Sequence, residues 1–120
     1  MNINKDYYVI AGYDLTGWET DKFDNWKWTD KGKEYFYNQT KGNIQLFDDP
    51  MNGNYLYLGY VLASGDNDDF ETTKLRTGMA NKMKKAVKDE LLKLIKIGVI
   101  DKEAKDYLDE YQVLIFEECA

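Results

Sequence analysis

Six apolar residues, Leu75, Met79, Met83, Val87, Leu91 and Ile95, recur at every fourth position. On a helix of 3.6 residues per turn this spacing gathers them along one side, and such a stripe must be buried against another surface. Ala80, Ala86 and Leu94 widen the stripe, while Lys82, Lys84, Lys85, Lys88 and Lys93 fall away from it. The pattern predicts one long amphipathic helix over about residues 70–97. Gly98 is placed to end it, glycine being the residue that most readily takes the left-handed turn past a helix C-terminus. Asp101 is placed to cap a shorter helix running to about Tyr111, through the unpaired amides of its first turn.

The surface under that helix is predicted from strands. Tyr7 to Tyr13 is aromatic and β-branched and predicts a first strand. Glu34–Asn38 and Asn43–Phe47, on either side of Gln39-Thr40-Lys41-Gly42, predict a hairpin. A second reversal is expected at residues 48–54, where Pro50 fixes φ and Asn52-Gly53 accommodates positive φ. The strand from Tyr55 to Ala63 then carries Leu56, Leu58, Tyr60 and Leu62 on one side, expected to meet the core, and Tyr55, Tyr57, Gly59 and Val61 on the other. Val113-Leu114-Ile115-Phe116, uninterrupted and apolar, predicts a final strand in a central position beside the first. From Trp18 to Lys33 no period holds, so a long loop or short irregular elements are expected. The resulting class is α+β: a mainly antiparallel sheet of four to five strands, with one long and one shorter C-terminal helix on one face. At 120 residues and 43% hydrophobic, residues 1–120 are expected to form a single domain with its own core.

The composition removes much chemistry. The sequence contains no histidine, which takes away the commonest general base, the usual nucleophile pairs and the commonest transition-metal ligand. Cys119 is the single cysteine, so no intramolecular disulfide forms and a reducing compartment is the better fit. Its glutamate neighbours disfavour the thiolate. Asp66-Asn67-Asp68-Asp69 fails as a calcium loop, because the sixth position from Asp66 is Glu71 and the twelfth is Thr77, where glycine and a bidentate glutamate are required. Asp48-Asp49 before Pro50 is expected to serve a turn. No catalytic residue, metal site or cofactor is therefore expected, and the chain is read as a non-enzyme. Neither a leader pattern at the N-terminus nor a run of roughly 18 apolar residues is present, which disfavours secretion and membrane insertion.

Net charge is −6, against the positive surface that indiscriminate phosphate binding needs. It is unevenly spread: residues 1–70 hold twelve acids and six bases, 71–100 three acids and eight bases, 101–120 seven acids and two bases. A basic helix face turned to water or to acidic strands accounts for this, as does a bipolar surface that steers a charged partner.

Ten tyrosines and three tryptophans are the conspicuous excess. Trp18, Phe23, Trp26, Trp28, Tyr35 and Tyr37 are the candidate protein-binding residues, because aromatic side chains bury large area at low entropic cost and recur at interface hot spots. The competing reading folds the same rings over the sheet as a satellite core. Acids at Glu19, Asp21, Asp24 and Asp30 oppose a stacking platform for single-stranded nucleic acid.

The Asn, Lys, Asp and Tyr-rich composition, with Tyr8-Val9-Ile10-Ala11-Gly12-Tyr13-Asp14-Leu15 and Leu46-Phe47-Asp48-Asp49-Pro50, resembles accessory proteins of phages of low-GC Gram-positive bacteria. Among these the chain resembles the phage-encoded inhibitors of the bacterial defence-associated sirtuin. The resemblance implies a stoichiometric protein inhibitor in the host bacterial cytoplasm, whose partner is a host defence protein with a sirtuin-type NADase domain. It implies that binding blocks activation of that enzyme by an invading phage structural protein. No site residue is carried over, since no functional motif aligns, and the oligomeric state stays open. Two other classes remain: an acidic DNA mimic acting on a restriction or CRISPR nuclease, and a small carboxylate-dependent enzyme.

Overall fold

The computed structural model describes residues 5–49, 54–66 and 77–119. Its strands are β1 (Lys5–Asp14), β2 (Ile44–Asp48), β3 (Leu56–Asp66) and β4 (Gln112–Cys119), all paired antiparallel in the order β2-β3-β1-β4. The helices are α1 (Phe23–Lys27), α2 (Asp30–Glu34), α3 (Thr77–Lys82) and α4 (Lys84–Lys96), followed by a 3₁₀ helix over Lys102–Tyr107. This is the expected α+β class, with four strands.

The leucine face of β3 meets the helices as its alternation predicts. Leu56 and Leu58, with Tyr13 and Leu46 from the neighbouring strands, are buried against Val87, Leu91, Leu94 and Ile95 of α4. Further along, β3 holds one extra residue, Leu62, between the pairs Ile10↔Val61 and Val9↔Ala63. Such a bulge bends the strand locally, and Leu62 packs there with Ala11 and Ala80. Helix α4 ends in a Schellman turn: Gly98 at φ +88° donates to the Ile95 carbonyl, and the Val99 amide donates to that of Leu94. Val99 and Leu94 are both in the core, which supplies the apolar contact of that motif.

The opposite face of the sheet is also buried. Tyr8, Ile10, Phe47 and Val61 form a second cluster, joined by Tyr55, Tyr57, Leu114 and Phe116. The Phe47 ring lies 4.8 Å from that of Tyr8 and 5.2 Å from that of Phe116. Burial, with Asp6 and Glu118 nearby, pushes the Tyr8 hydroxyl up to about 12.

Beside this cluster Glu118 accepts a hydrogen bond from the Tyr55 hydroxyl at 3.0 Å. Burial raises the Glu118 carboxyl above its ordinary value; the Tyr55 bond opposes this, while Asp48, Asp6 and Asp49 reinforce it. The folded chain therefore holds this proton more tightly than the unfolded one. Its contribution to stability is complete below the unfolded carboxyl pKa and is lost as pH rises through the raised value. Glu118→Gln keeps an acceptor for Tyr55 and removes the charge, so it is expected to melt above the parent chain at neutral pH. After solvent screening the gain is at most about 1 kcal/mol. In thermal melts followed by circular dichroism the gap should close towards pH 4, and a gap that widens on acidification would contradict this assignment.

Four expectations are corrected. Glu34–Asn38 is not a strand: Glu34 ends α2, Tyr35 caps it, and Asn38 takes a positive φ of 54°. Packing of Tyr35 and Phe36 against the main core, with the Tyr35 carbonyl accepting from the Leu46 amide, outweighs the β propensity of Tyr35-Phe36-Tyr37. The expected hairpin is instead made by β2 and β3, around a connection whose residues 50–53 lie outside the described residues. Within the described part of 70–97 the long helix is interrupted at Met83, although the Met83 amide still reaches the Met79 carbonyl and the Val87 amide that of Met83. A fourfold recurrence precesses by roughly 40° per step on an α-helix, and the interruption falls within the stripe. Leu75 and the acidic residues after Asp66 lie outside the described residues. The helix expected from Asp101 to Tyr111 is a 3₁₀ helix that stops at Tyr107, although Asp101 does cap it by accepting from the Glu103 amide at 2.9 Å. Finally, β4 lies beside β1 but at the edge of the sheet, with Val113 and Ile115 exposed.

Candidate functional site

The segment between β1 and β2 is held in place at several points. After the turn at Gly17 (φ +84°), residues 18–20 run alongside 98–101. Glu19 bridges Ile100, the Thr20 amide donates to the Val99 carbonyl at 3.0 Å, and the Asp101 amide donates to that of Trp18 at 2.8 Å. Thr29 then caps α2, its Oγ1 accepting from the Gly32 amide at 3.1 Å and donating to the Trp26 carbonyl at 2.6 Å. The α1–α2 corner is tight, since a Cβ on Gly32 would lie 2.0 Å from that same carbonyl oxygen.

This corner sorts the six candidate aromatics. Phe23 is buried in the main core, and Trp18, Trp26 and Tyr35 pack against it half-buried. Trp26 lies 5.8 Å from Phe23 and 5.4 Å from Tyr35, and Trp18 lies 5.0 Å from Tyr107, between ring centroids. The Tyr35 hydroxyl donates to Glu90 at 2.8 Å. Its burial, that bond and the nearby glutamates raise it well above the usual phenol range. Trp28 and Tyr37 project outward, 69% and 62% exposed. The structure thus brings four of the candidates together as packing and presents two to solvent.

Trp28 stands on a cleft of about 270 Å³ between α1 and the β2–β3 end of the sheet, lined also by Glu19, Phe23, Asp24, Lys27, Asp48, Asp49, Tyr55 and Leu56. Lys27 is the cleft's cation, and it is already engaged. Its Nζ contacts Asp48 Oδ2 at 2.5 Å and sits 4.8 Å from the Phe36 ring centre and 5.5 Å from that of Trp28. The acids Glu19 and Asp24 are exposed. The arrangement is an apolar floor with an acidic rim and one exposed indole, a surface that suits an arginine or lysine side chain by charge and by cation–π attraction. Sequence reasoning named Trp28 and Phe23, and Tyr55 as a residue that could extend their patch, but missed Lys27 and Asp48 as neighbours of the site. Lys27 and Asp48 are 21 residues apart, and no local periodicity links them.

A second cleft of about 180 Å³ lies beside Trp18 and Tyr107, with Asp14, Glu110 and Gln112 among its lining residues. On α4 the lysines 84, 85, 88, 93 and 96 face solvent. The α4 ion pairs seen among the described residues are internal to the helix, Lys85 with Asp89 and Lys93 with Glu90. The basic segment is therefore a solvated face at the described residues.

Among the described residues no group of three or more Cys, Asp or Glu side chains is arranged to hold a metal ion, and no helix is long and apolar enough to cross a membrane. In comparison with known proteins, no family model, no curated protein and no solved structure matches the chain.

Proposed function

We propose that the chain is a protein-binding inhibitor that grips a basic side chain of its partner in the Trp28 cleft. Following the resemblance of its sequence, the partner is a bacterial anti-phage defence protein, the NAD-depleting defence-associated sirtuin foremost, which the bound chain keeps from being activated. The observation that carries the binding reading is Trp28, an indole left 69% exposed at an acidic cleft whose walls are fixed by buried aromatics and by the Lys27–Asp48 pair. An exposed aromatic on a rigid frame needs little ordering on association, which is why such residues dominate binding energy.

Trp28→Ala is expected to weaken binding to the sirtuin-type NADase by about 30-fold or more, corresponding to a hot-spot loss of ~2 kcal/mol, without lowering the melting temperature. Glu19→Gln combined with Asp24→Asn should slow association and reduce its salt dependence. Titration calorimetry reads the first, stopped-flow mixing the second, and NAD consumption in the presence of the activating phage protein reads inhibition. Wild-type affinity in Trp28→Ala would remove this cleft from the interface. Capture of a nuclease that competing duplex DNA releases would favour the DNA mimic instead.

A further inference from the structure

The two edges of the sheet are not equivalent. The β2 edge is sealed from within the chain: the Leu46 amide donates to the Tyr35 carbonyl at 2.8 Å, and its carbonyl accepts from Gln39 Nε2 at 2.7 Å. No incoming strand can pair there without displacing both. The β4 edge carries few of the devices that usually discourage pairing: from Gln112 to Cys119 it has no lysine, proline or bulge, its charges are confined to Glu117 and Glu118 towards one end, and its centre is Val113-Leu114-Ile115-Phe116. On the helix-bearing side of that edge, among the described residues, Val113 and Ile115 are 50% and 75% exposed.

We infer that β4 pairs antiparallel with the β4 of a second copy, joining two sheets into one of eight strands. With β2 sealed, a head-to-tail contact of β4 on β2 is closed off, so pairing between copies has only the two-fold solution, which terminates at the dimer. A two-fold axis perpendicular to the sheet keeps each face continuous. Centred on Ile115, it sets that residue against its own copy, Leu114 against Phe116, Val113 against Glu117 and Gln112 against Glu118. The exposed apolar patches then meet, and no glutamate opposes another. A register centred on Glu117 would set two carboxylates face to face, which is unfavourable on a cross-strand pair. Charge and apolar pattern therefore select the same register. The Trp28 cleft lies at the β2 end of the sheet, so the dimer carries two clefts at its far ends, a geometry suited to bivalent engagement. The dimer itself does not depend on the function assigned to that cleft.

Sedimentation equilibrium on the full chain should show the mass rising with concentration from 14.1 kDa towards twice that value. Ile115→Lys should stay at the single mass throughout and should melt with the parent chain at dilutions where the parent is monomeric, because the residue is solvent-facing in the monomer. In a Cys119→Ser background, Ile115→Cys should form an intermolecular disulfide on mild oxidation. Facing Cα atoms in an antiparallel pair are about 4.5–5.5 Å apart, within disulfide reach. Lys96→Cys in the same background should not. A wild-type chain monomeric at every concentration overturns the proposal, as does a dimer that survives Ile115→Lys or one that fails to form the Ile115→Cys link.

Discussion

Gly12→Ala is expected to abolish cooperative folding or to lower the melting temperature by more than about 10 °C. Gly12 pairs with Gly59 across the central β1–β3 ladder, and the two glycines let the strands approach closely. A Cβ on Gly12 would lie 1.8 Å from the Leu58 carbonyl oxygen, 2.6 Å from the Gly59 Cα and 2.8 Å from the Leu58 carbonyl carbon. All three are backbone atoms, so no flexible side chain can move aside. Relief requires the two central strands to separate over Ile10 to Asp14, the stretch that carries buried Ile10, Ala11 and Tyr13. Overpacking that side chains can absorb costs about 1–3 kcal/mol. The loss here should exceed about 3 kcal/mol, a large share of the roughly 5–15 kcal/mol by which a domain is stable. Gly78→Ala is the control: among the described residues a Cβ there meets nothing within 4 Å, and at its place in the first turn of α3 the change should be neutral or mildly stabilising. Thermal unfolding of both variants checks the pair, and a Gly12→Ala protein melting close to the parent would show that the strands are not so closely apposed.

Phe47→Ala is expected to cost about 3–5 kcal/mol, measured by chemical denaturation, with loss of the near-ultraviolet aromatic signal. Phe47 sits on the short strand β2, where a truncation would cost little if the sheet buried only its helix-bearing face. It is instead fully buried, with Tyr8 and Phe116 against it and Ile10 and Val61 in the same cluster. Its removal leaves a cavity that three strands would have to collapse to fill. Ile115→Ala, at an exposed position of β4, should by contrast change monomer stability by no more than about 0.5 kcal/mol. A Phe47→Ala loss below about 1 kcal/mol would mean that the second cluster contributes little to the fold.

Phe47 also shows where reading the sequence stops. Leu46-Phe47 is legible as strand, and Leu46 is legible as core. That Phe47 is equally buried depends on Tyr8, Phe116 and Tyr57, up to 69 positions away along the chain, arriving on the same face. The candidate site divides in the same way. The six aromatics were identifiable as a group, but whether each ring is packing or surface depends on the α1–α2 corner, on the Tyr35–Glu90 bond and on the strap between residues 18–20 and 98–101. The Lys27–Asp48 pair that shapes the cleft could be found only once α1 and β2 were adjacent.

By itself the sequence determined what local periodicity and backbone chemistry can determine: the leucine-bearing face of β3, the buried stripe of Val87, Leu91 and Ile95, the glycine stop at Gly98, the cap at Asp101 and the strand character of both ends of the sheet. Each is decided among residues within a few positions of one another, where side-chain spacing and allowed φ dominate the energy. Only the tertiary structure decided that Tyr35-Phe36-Tyr37 closes a helix instead of extending the sheet, that β4 takes the edge, that both faces are buried, and that Trp28 is left outside while Trp26 is not. Those outcomes depend on which distant surfaces meet, and there the free energy of burial outweighs the roughly 1 kcal/mol or less by which local preferences differ.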